Sequence, residues 1–261
     1  MIDERILKEL LGDGIAFSVR TLVDSTNSEA KRMAVSLAEE GRFDPVLITA
    51  NEQSAGRGRM GRSFLSRADR GIYMSLLYFT DKALPSVVSV TTATAAIVAE
   101  EIERFSGNPM RIKWVNDIYN DRGKVSGILV ETLRVGERIA VVVGIGINIG
   151  EDDFPEELRG IASAIGEIGG KEEMLISGIA KRLLDHAASP ESKEYMAAYR
   201  KRFMLEGESV DLFRGGEPMG SGRVVGVDDD GGLLFIPDGE SEMISVHSGE
   251  VSIRKAKKEE A

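Results

Sequence analysis

Cysteine is absent from the 261-residue chain, which excludes disulfides, a thiolate nucleophile and a cysteine zinc site. Histidine occurs only twice, as His186 and His247, without metal-ligand spacing, and this argues against a histidine-built metal centre or a Ser-His-Asp set. Positive charge is in the minority, with 33 Lys and Arg against 43 Asp and Glu and a formal net charge of -10. Broad nucleic-acid affinity needs a basic footprint, so that balance opposes it. Long apolar runs are also missing. Met1 to Arg5 lacks the basic and apolar regions of a signal peptide, and Ile139 to Ile149 is too short and glycine-rich to span a bilayer. The expectation is a cytoplasmic protein with neither DNA nor membrane as a partner. What is present is an ordinary globular composition, 42% hydrophobic and 29% charged, long enough for one sizeable core and a small second unit.

Against the acidic background, Ser54-Ala55-Gly56-Arg57-Gly58-Arg59-Met60-Gly61-Arg62-Ser63-Phe64 places arginines between glycines. Glycine lets the backbone approach a ligand closely, and arginine supplies forked donors that match phosphate or carboxylate oxygens. Arg-Gly repeats also occur in disordered RNA-binding segments, and surface arginines are often only solvated charge. Here the stretch lies between two strand-like runs, Val46 to Ala50 and Ile72 to Tyr78, and a long loop inside a compact domain favours an anion-binding role.

Periodicity predicts a short helix carrying Ile6, Leu7, Leu10 and Leu11, a strand over Phe17 to Val23, and a helix to about Ala38. Thr26 and Glu29 have capping-box spacing, so Ser25, Thr26 and Asn27 read equally as helix caps or as hydrogen-bonding groups for a polar uncharged ligand. Pro85 suits the first turn of a long alanine-rich helix toward Phe105. The runs Arg111 to Asp117 and Lys124 to Glu131, around a turn at Asp121 to Gly123, predict strands joined by a hairpin. In the next strand Gly144 and Gly146 alternate, leaving one face bare for a ligand or for close helix packing. It is not a dinucleotide fingerprint, because the third glycine and the following helix are missing. Helical patterns fill Lys171 to Ala188 and Ser192 to Glu206, and short strands with turns run from Ser209 to about Ile253. The expected fold is α+β: a mixed β-sheet catalytic domain over 1–206, flanked by helices, a small SH3-like β-barrel over 207–254, and a charged tail over 255–261.

Taken together, Asp24-Ser25-Thr26-Asn27, the Gly56-Arg57-Gly58-Arg59 loop preceded by Gln53, Lys113-Trp114-Val115-Asn116-Asp117, Lys124 to Glu131, and Gly144-Ile145-Gly146-Ile147-Asn148 resemble the biotin–protein ligases in identity and order. The terminal Ser248 to Arg254 extends the resemblance to the small unit. The resemblance implies a two-step reaction, in which biotin and Mg-ATP give biotinyl-5′-adenylate and the biotin then passes to a lysine of a biotin carboxyl carrier domain. With no N-terminal helix-turn-helix domain visible, the chain resembles the short, non-repressor form.

The same resemblance implies roles residue by residue. Lys124 matches the catalytic lysine, and Arg59 a loop arginine acting with it. Ser25, Thr26, Asn27, Gln53, Gly56 and Arg57 match groups that hold biotin, and Gly127 lies where a side chain would meet its chain. Arg57, Arg59, Arg62, Phe64, Asn116, Asn148 and Arg254 match nucleotide contacts, and Asp117 is the candidate metal ligand for Mg2+. Phe64 stands where the family often has tryptophan, and Val115 where it often has proline; Trp114 reads as core. Related short ligases often pair, so a homodimer through sheet edges is compatible with the chain. The alternatives are a lipoate or octanoate transferase of the same fold, an RNA-binding module and a repressor. The first lacks the Gly-Arg-Gly-Arg loop, the second is opposed by net charge, and the third by the missing domain.

Overall fold

The computed structural model describes residues 2–81 and 86–247 and the backbone of 251–255. The first unit runs α1 (Glu4–Leu11), β1 (Ala16–Val23), α2 (Thr26–Glu39), β2 (Val46–Gln53), β3 (Gly71–Thr80), α3 (Val87–Ser106), β4 (Arg111–Lys113), β5 (Asp117–Tyr119), β6 (Lys124–Val135), β7 (Arg138–Asn148), α4 (Glu172–Ala188) and α5 (Tyr195–Arg202). Its seven strands form one sheet in the order β1-β2-β3-β7-β6-β5-β4. Only β1 and β2 run parallel; every other neighbour is antiparallel, so the sheet is mixed.

Burial on both faces explains why the central runs are apolar at nearly every position, Thr49 and Ser75 excepted. Val46, Ile48, Leu77 and Val142 pack with Ala30, Ala34 and Leu37 of α2. Their neighbours Leu47, Leu76, Val141 and Val143 join the main core with α1, α3 and α4 on the opposite face. In α3, Thr91 and Thr94 turn their hydroxyls back onto Val87 O and Val90 O at 2.6 and 2.7 Å, so a helix with buried threonines leaves neither group unpaired. Ser86 caps this helix through Ser89 N at 2.9 Å, while Pro85 lies outside the described residues.

Two expectations are corrected here. The run Arg111 to Asp117 is not one strand but two, β4 and β5, with Lys113 opposite Asp117 across a turn at Trp114 to Asn116. Asn116 anchors that turn to β6, giving Nδ2 to Ile128 O at 2.9 Å and accepting from Ile128 N at 3.0 Å. Likewise α5 is shorter than the pattern over Ser192 to Glu206, ending at Arg202, and the next residue, Phe203, bridges Ile112 on β4.

The small unit contains β8 (Ser209–Arg214), β9 (Glu217–Val227), β10 (Leu233–Pro237), β11 (Ile244–Val246) and β12 (Val251–Lys255). These form an antiparallel sheet in the order β11-β10-β9-β8-β12, and no ladder joins β11 to β12 among the described residues. Among the described residues β11 has three residues and a ladder to β10, which is as much of the expected small β-barrel as the strand pairing traces. Val210, Leu212, Val224, Leu233 and Phe235 belong to the same apolar cluster as α3 and Tyr199, so the small sheet shares the main core.

Candidate functional site

Gly127 on β6 faces Gly146 on β7, and Leu129 faces Gly144, so the centre of the sheet carries a patch without side chains. Close helix packing is realised at one of its glycines, and a loop side chain covers the other. A Cβ at Gly144 would overlap Asn27 Oδ1 at the start of α2, whereas one at Gly146 would lie 2.5 Å from the Phe64 ring. Helix α2 thus packs on one glycine and the arginine loop on the next, and between them lies a cavity of about 150 Å³. Gly144→Ala should destabilise the fold by about 1–3 kcal/mol, because Asn27 is pinned and cannot withdraw. Denaturant unfolding of the variant against the parent measures it.

At one end of the cavity stands an uncharged polar cluster. Gln53 Oε1 accepts from Thr26 N at 2.8 Å and Thr26 Oγ1 at 3.2 Å, and Gln53 Nε2 donates to Ser66 Oγ at 2.7 Å. The Ser75 hydroxyl, fully buried, sits 2.8 Å from Thr26 Oγ1 and 2.7 Å from Asn27 Oδ1. Asn27 Nδ2 donates onward to Leu129 O at 3.2 Å and Glu131 Oε2 at 2.9 Å. The expected capping box is not formed: Ser25 makes no side-chain cap bond, and Glu29 pairs with Arg32 and Arg20. Freed from capping, Ser25, Thr26 and Asn27 line the cavity instead. Arg32 also holds the Asp24 carboxyl down to about 2, so the strand-to-helix corner stays charged and fixed.

At the other end the groups are cationic. The loop folds back on itself, with Phe64 N to Gly56 O at 2.9 Å, Gly58 N to Arg62 O at 2.7 Å, and a tip at Arg59 to Gly61 where Met60 and Gly61 have φ of 57° and 72°. Gly56 has to be glycine, since a Cβ there would collide with Phe64 O. Arg59 reaches across the cavity to donate to Asn116 Oδ1 at 2.8 Å, and burial pushes its guanidinium pKa down against the opposing pull of Asp117. Arg57 lies 3.4 Å from Glu131, which also meets Lys31 at 2.9 Å. Burial pushes the Glu131 carboxyl up, but the bonds from Lys31 and Asn27 outweigh it and hold the carboxyl below its usual range. Lys124 Nζ stands 2.6 Å from Asp117 Oδ1, over the Gly127 floor.

The structure brings most of the candidate residues to this one cavity. Ser25, Thr26, Asn27 and Gln53 line its polar end, Arg57, Arg59, Arg62 and Lys124 its cationic end, and Phe64, Asn116, Asp117 and Gly127 the space between. Gly56 and Asn148 do not line it. Asn148 is buried and donates to Ser163 O at 2.9 Å and Lys124 O at 3.4 Å, beneath a segment that brackets the lysine: Lys124 N donates to Ile161 O at 2.9 Å and Ser163 N to Lys124 O at 2.8 Å. The Arg254 side chain lies outside the described residues. Sequence reasoning missed Ser66, Ser75 and the Ile161–Ser163 bracket, since only tertiary contact gives them a part in the site. Trp114 is core, as expected, but its ring also walls the cavity. Among the described residues no cluster of three or more acidic or histidine side chains can hold a metal ion.

An uncharged hydrogen-bonding end and a cationic end on a bare glycine floor have the chemistry of an acyl-activating ligase site, suited to a polar carboxylic acid beside a phosphate. The Biotin/lipoate A/B protein ligase family matches residues 21–148, and the biotin protein ligase C terminal domain matches residues 207–254. The chain is 32% identical over 237 residues to the bifunctional ligase/repressor BirA of Bacillus spizizenii, spanning 87% of this chain and 70% of that protein. It is 27% identical over 259 residues to the biotin–[acetyl-CoA-carboxylase] ligase of Mycobacterium tuberculosis, spanning 94% and 93%. Among solved structures, the biotin protein ligase of Aquifex aeolicus in complex with biotin and ATP matches with a TM-score of 0.73 and 27% identity, over 92% of this chain and 99% of that one. The chain belongs to the biotin–protein ligase family.

Proposed function

We propose that this protein activates biotin with ATP and transfers it to a lysine of a biotin carboxyl carrier domain. A biotin carboxylate oxygen attacks the α-phosphorus of ATP, pyrophosphate leaves, and the acceptor amine then attacks the acyl carbon of the adenylate and releases AMP. Carrying this reading is the division of one cavity into the Thr26–Gln53 polar cluster, suited to a ureido ring, and the Lys124–Arg59 cationic end, suited to a carboxylate meeting a phosphate. An apolar dithiolane or octanoyl chain offers no hydrogen-bonding group to that polar cluster, which disfavours the lipoate or octanoate reading.

Within this scheme, Ser25, Thr26, Asn27 and Gln53 hold the ureido ring, while Arg57, Arg59 and Lys124 neutralise the reacting anions. Phe64, seated against Gly146, serves as a stacking surface for adenine. Mg2+ arrives with the nucleotide. Among the described residues Asp117 is the one cavity-lining carboxylate; it would help hold an ion bound mainly by phosphates and water, and the ion would supply charge neutralisation. Lys124 would meet the α-phosphate from its place beside Asp117. The catalytic unit is assigned to 1–206 and the small unit, with Arg254 as a nucleotide contact, to 207–254. A cytoplasmic location fits, and no described helix is long and apolar enough to cross a membrane. Pairing of two copies is assigned to the outer edge of β1, where Arg20, Thr21 and Leu22 are exposed, because β4 at the opposite edge is met by Phe203.

Labelled biotin, Mg-ATP and a biotin carboxyl carrier domain, run beside lipoate and octanoate, test the reading. The expected result is label on the carrier lysine with biotin alone and only when ATP is present. Equal or preferred transfer of lipoate would overturn it.

A further inference from the structure

The small sheet reaches Trp114 through one acidic turn. Asp228 Oδ1 accepts from Asp230 N at 2.9 Å and Gly232 N at 2.8 Å, while Asp228 N donates to Gly232 O at 2.9 Å, so the turn is stiff before it touches anything else. The first unit then clasps it. Arg200 on α5 donates Nε to Val227 O at 3.1 Å and Nη2 to Asp229 Oδ1 at 2.6 Å, and Lys193 Nζ meets Asp230 Oδ1 at 2.8 Å. At the tip, Gly231 has φ of +83°, and a Cβ there would lie 2.7 Å from Thr92 Oγ1 on α3. Only glycine brings the backbone this close, and the carbonyl it delivers accepts from Trp114 Nε1 at 2.9 Å.

Trp114 is the single tryptophan of the chain. It is buried, walls the cavity, and opens the β4–β5 turn whose last residue, Asn116, holds Arg59; the next residue, Asp117, holds Lys124. Resting on the ligase reading above, we propose that the Asp228–Gly232 turn is a positioning element for adenylate formation. It touches no substrate, since none of its residues lines the cavity. By fixing the Trp114 indole it fixes the β4–β5 turn, and with it the register of both cations over the reacting atoms. A displacement of about 1 Å in such groups is enough to slow a reaction by roughly a hundredfold. The biotin-holding cluster is built from α2, β2 and β3 and does not pass through this turn.

Gly231→Ala, made in the full chain, pushes the turn off α3; Arg200→Ala loosens the same clasp while leaving the backbone conformation permitted. Adenylate formation, read as single-turnover pyrophosphate release, should fall about tenfold in the first and about threefold in the second. Biotin affinity measured without nucleotide should stay within about twofold of the parent, which separates positioning from simple destabilisation. Emission and acrylamide quenching of Trp114 should both change in the protein alone. That signal is independent of activity, so it separates failure of the contact from failure of the ligase reading, which a parent without pyrophosphate release would reveal. Unchanged emission, an unchanged adenylation rate with a displaced indole, or a rate loss matched by an equal loss of biotin affinity would each overturn the proposal.

Discussion

Lys124→Ala should leave biotin binding close to that of the parent and slow adenylate formation by about 10²–10³-fold, the usual loss when one preorganised charge is removed from a developing anionic transition state. The division of the cavity is the reason. Lys124 stands over Gly127 with its ammonium on Asp117, whereas the hydrogen bonds at the polar end run through Thr26, Gln53, Ser66 and Ser75 without it. Its main chain is bracketed by Ile161 and Ser163, so truncating the side chain should not move the strand. The loss also strips Asp117 of its counter-ion, leaving a bare carboxylate facing the incoming triphosphate. Nucleotide affinity should therefore fall as well, and Lys124→Ala/Asp117→Asn should recover part of that affinity without recovering the rate. Pyrophosphate release in single turnovers, beside calorimetric titration with biotin, checks both statements. A variant that releases pyrophosphate at the parental rate removes Lys124 from the chemistry.

What could be read from the chain and what could not follow a physical division. The runs Val46 to Ala50 and Ile72 to Tyr78 are apolar at successive positions because β2 and β3 are covered on both faces, so they announce themselves as central strands. The bare face at Gly144 and Gly146 was visible for a similar reason, since a missing side chain is a local fact. The break between β4 and β5 was not. Its turn is made by Trp114, Val115 and Asn116, without glycine or proline, and is held by bonds from Asn116 to a strand further along the chain. The strand order of the small sheet was not legible either, because which edges meet depends on pairing that turn residues do not encode. In the site, Ser25, Thr26 and Asn27 were ambiguous between cap and ligand group. Capping is a choice between a local acceptor and distant partners, and here Gln53, Ser75 and Glu131 engage Thr26 and Asn27.

Arg59→Gly should give an enzyme that still forms adenylate but lets it escape, labelling exposed lysines on bystander proteins. The loop is stapled to itself by Phe64 N to Gly56 O and Gly58 N to Arg62 O, so it does not need Arg59 to keep its own shape. What Arg59 adds is a bridge across the cavity to Asn116 at 2.8 Å, from a half-buried position where a charged donor counts for more than at the surface. With Met60 and Gly61 already at positive φ, a further glycine at the tip adds freedom to the open state and removes the bridge from the closed one. Losing a hydrogen bond of this charged kind costs on the order of 1.5–3 kcal/mol, which raises escape by roughly one to two orders of magnitude. Lys124 and Asp117 are untouched, so the first step should survive with a smaller loss than in Lys124→Ala. Arg59→Lys should recover little of the retention, because a single ammonium cannot match the guanidinium fork that spans from the loop tip to the β4–β5 turn. The measurement is adenylate retained after rapid gel filtration, together with transfer of biotin to albumin. If the glycine variant retains adenylate as firmly as the parent and leaves albumin unlabelled, the Arg59–Asn116 bridge is not what closes the site, and closure must rest on the loop's own hydrogen bonds and on Phe64 seated on Gly146.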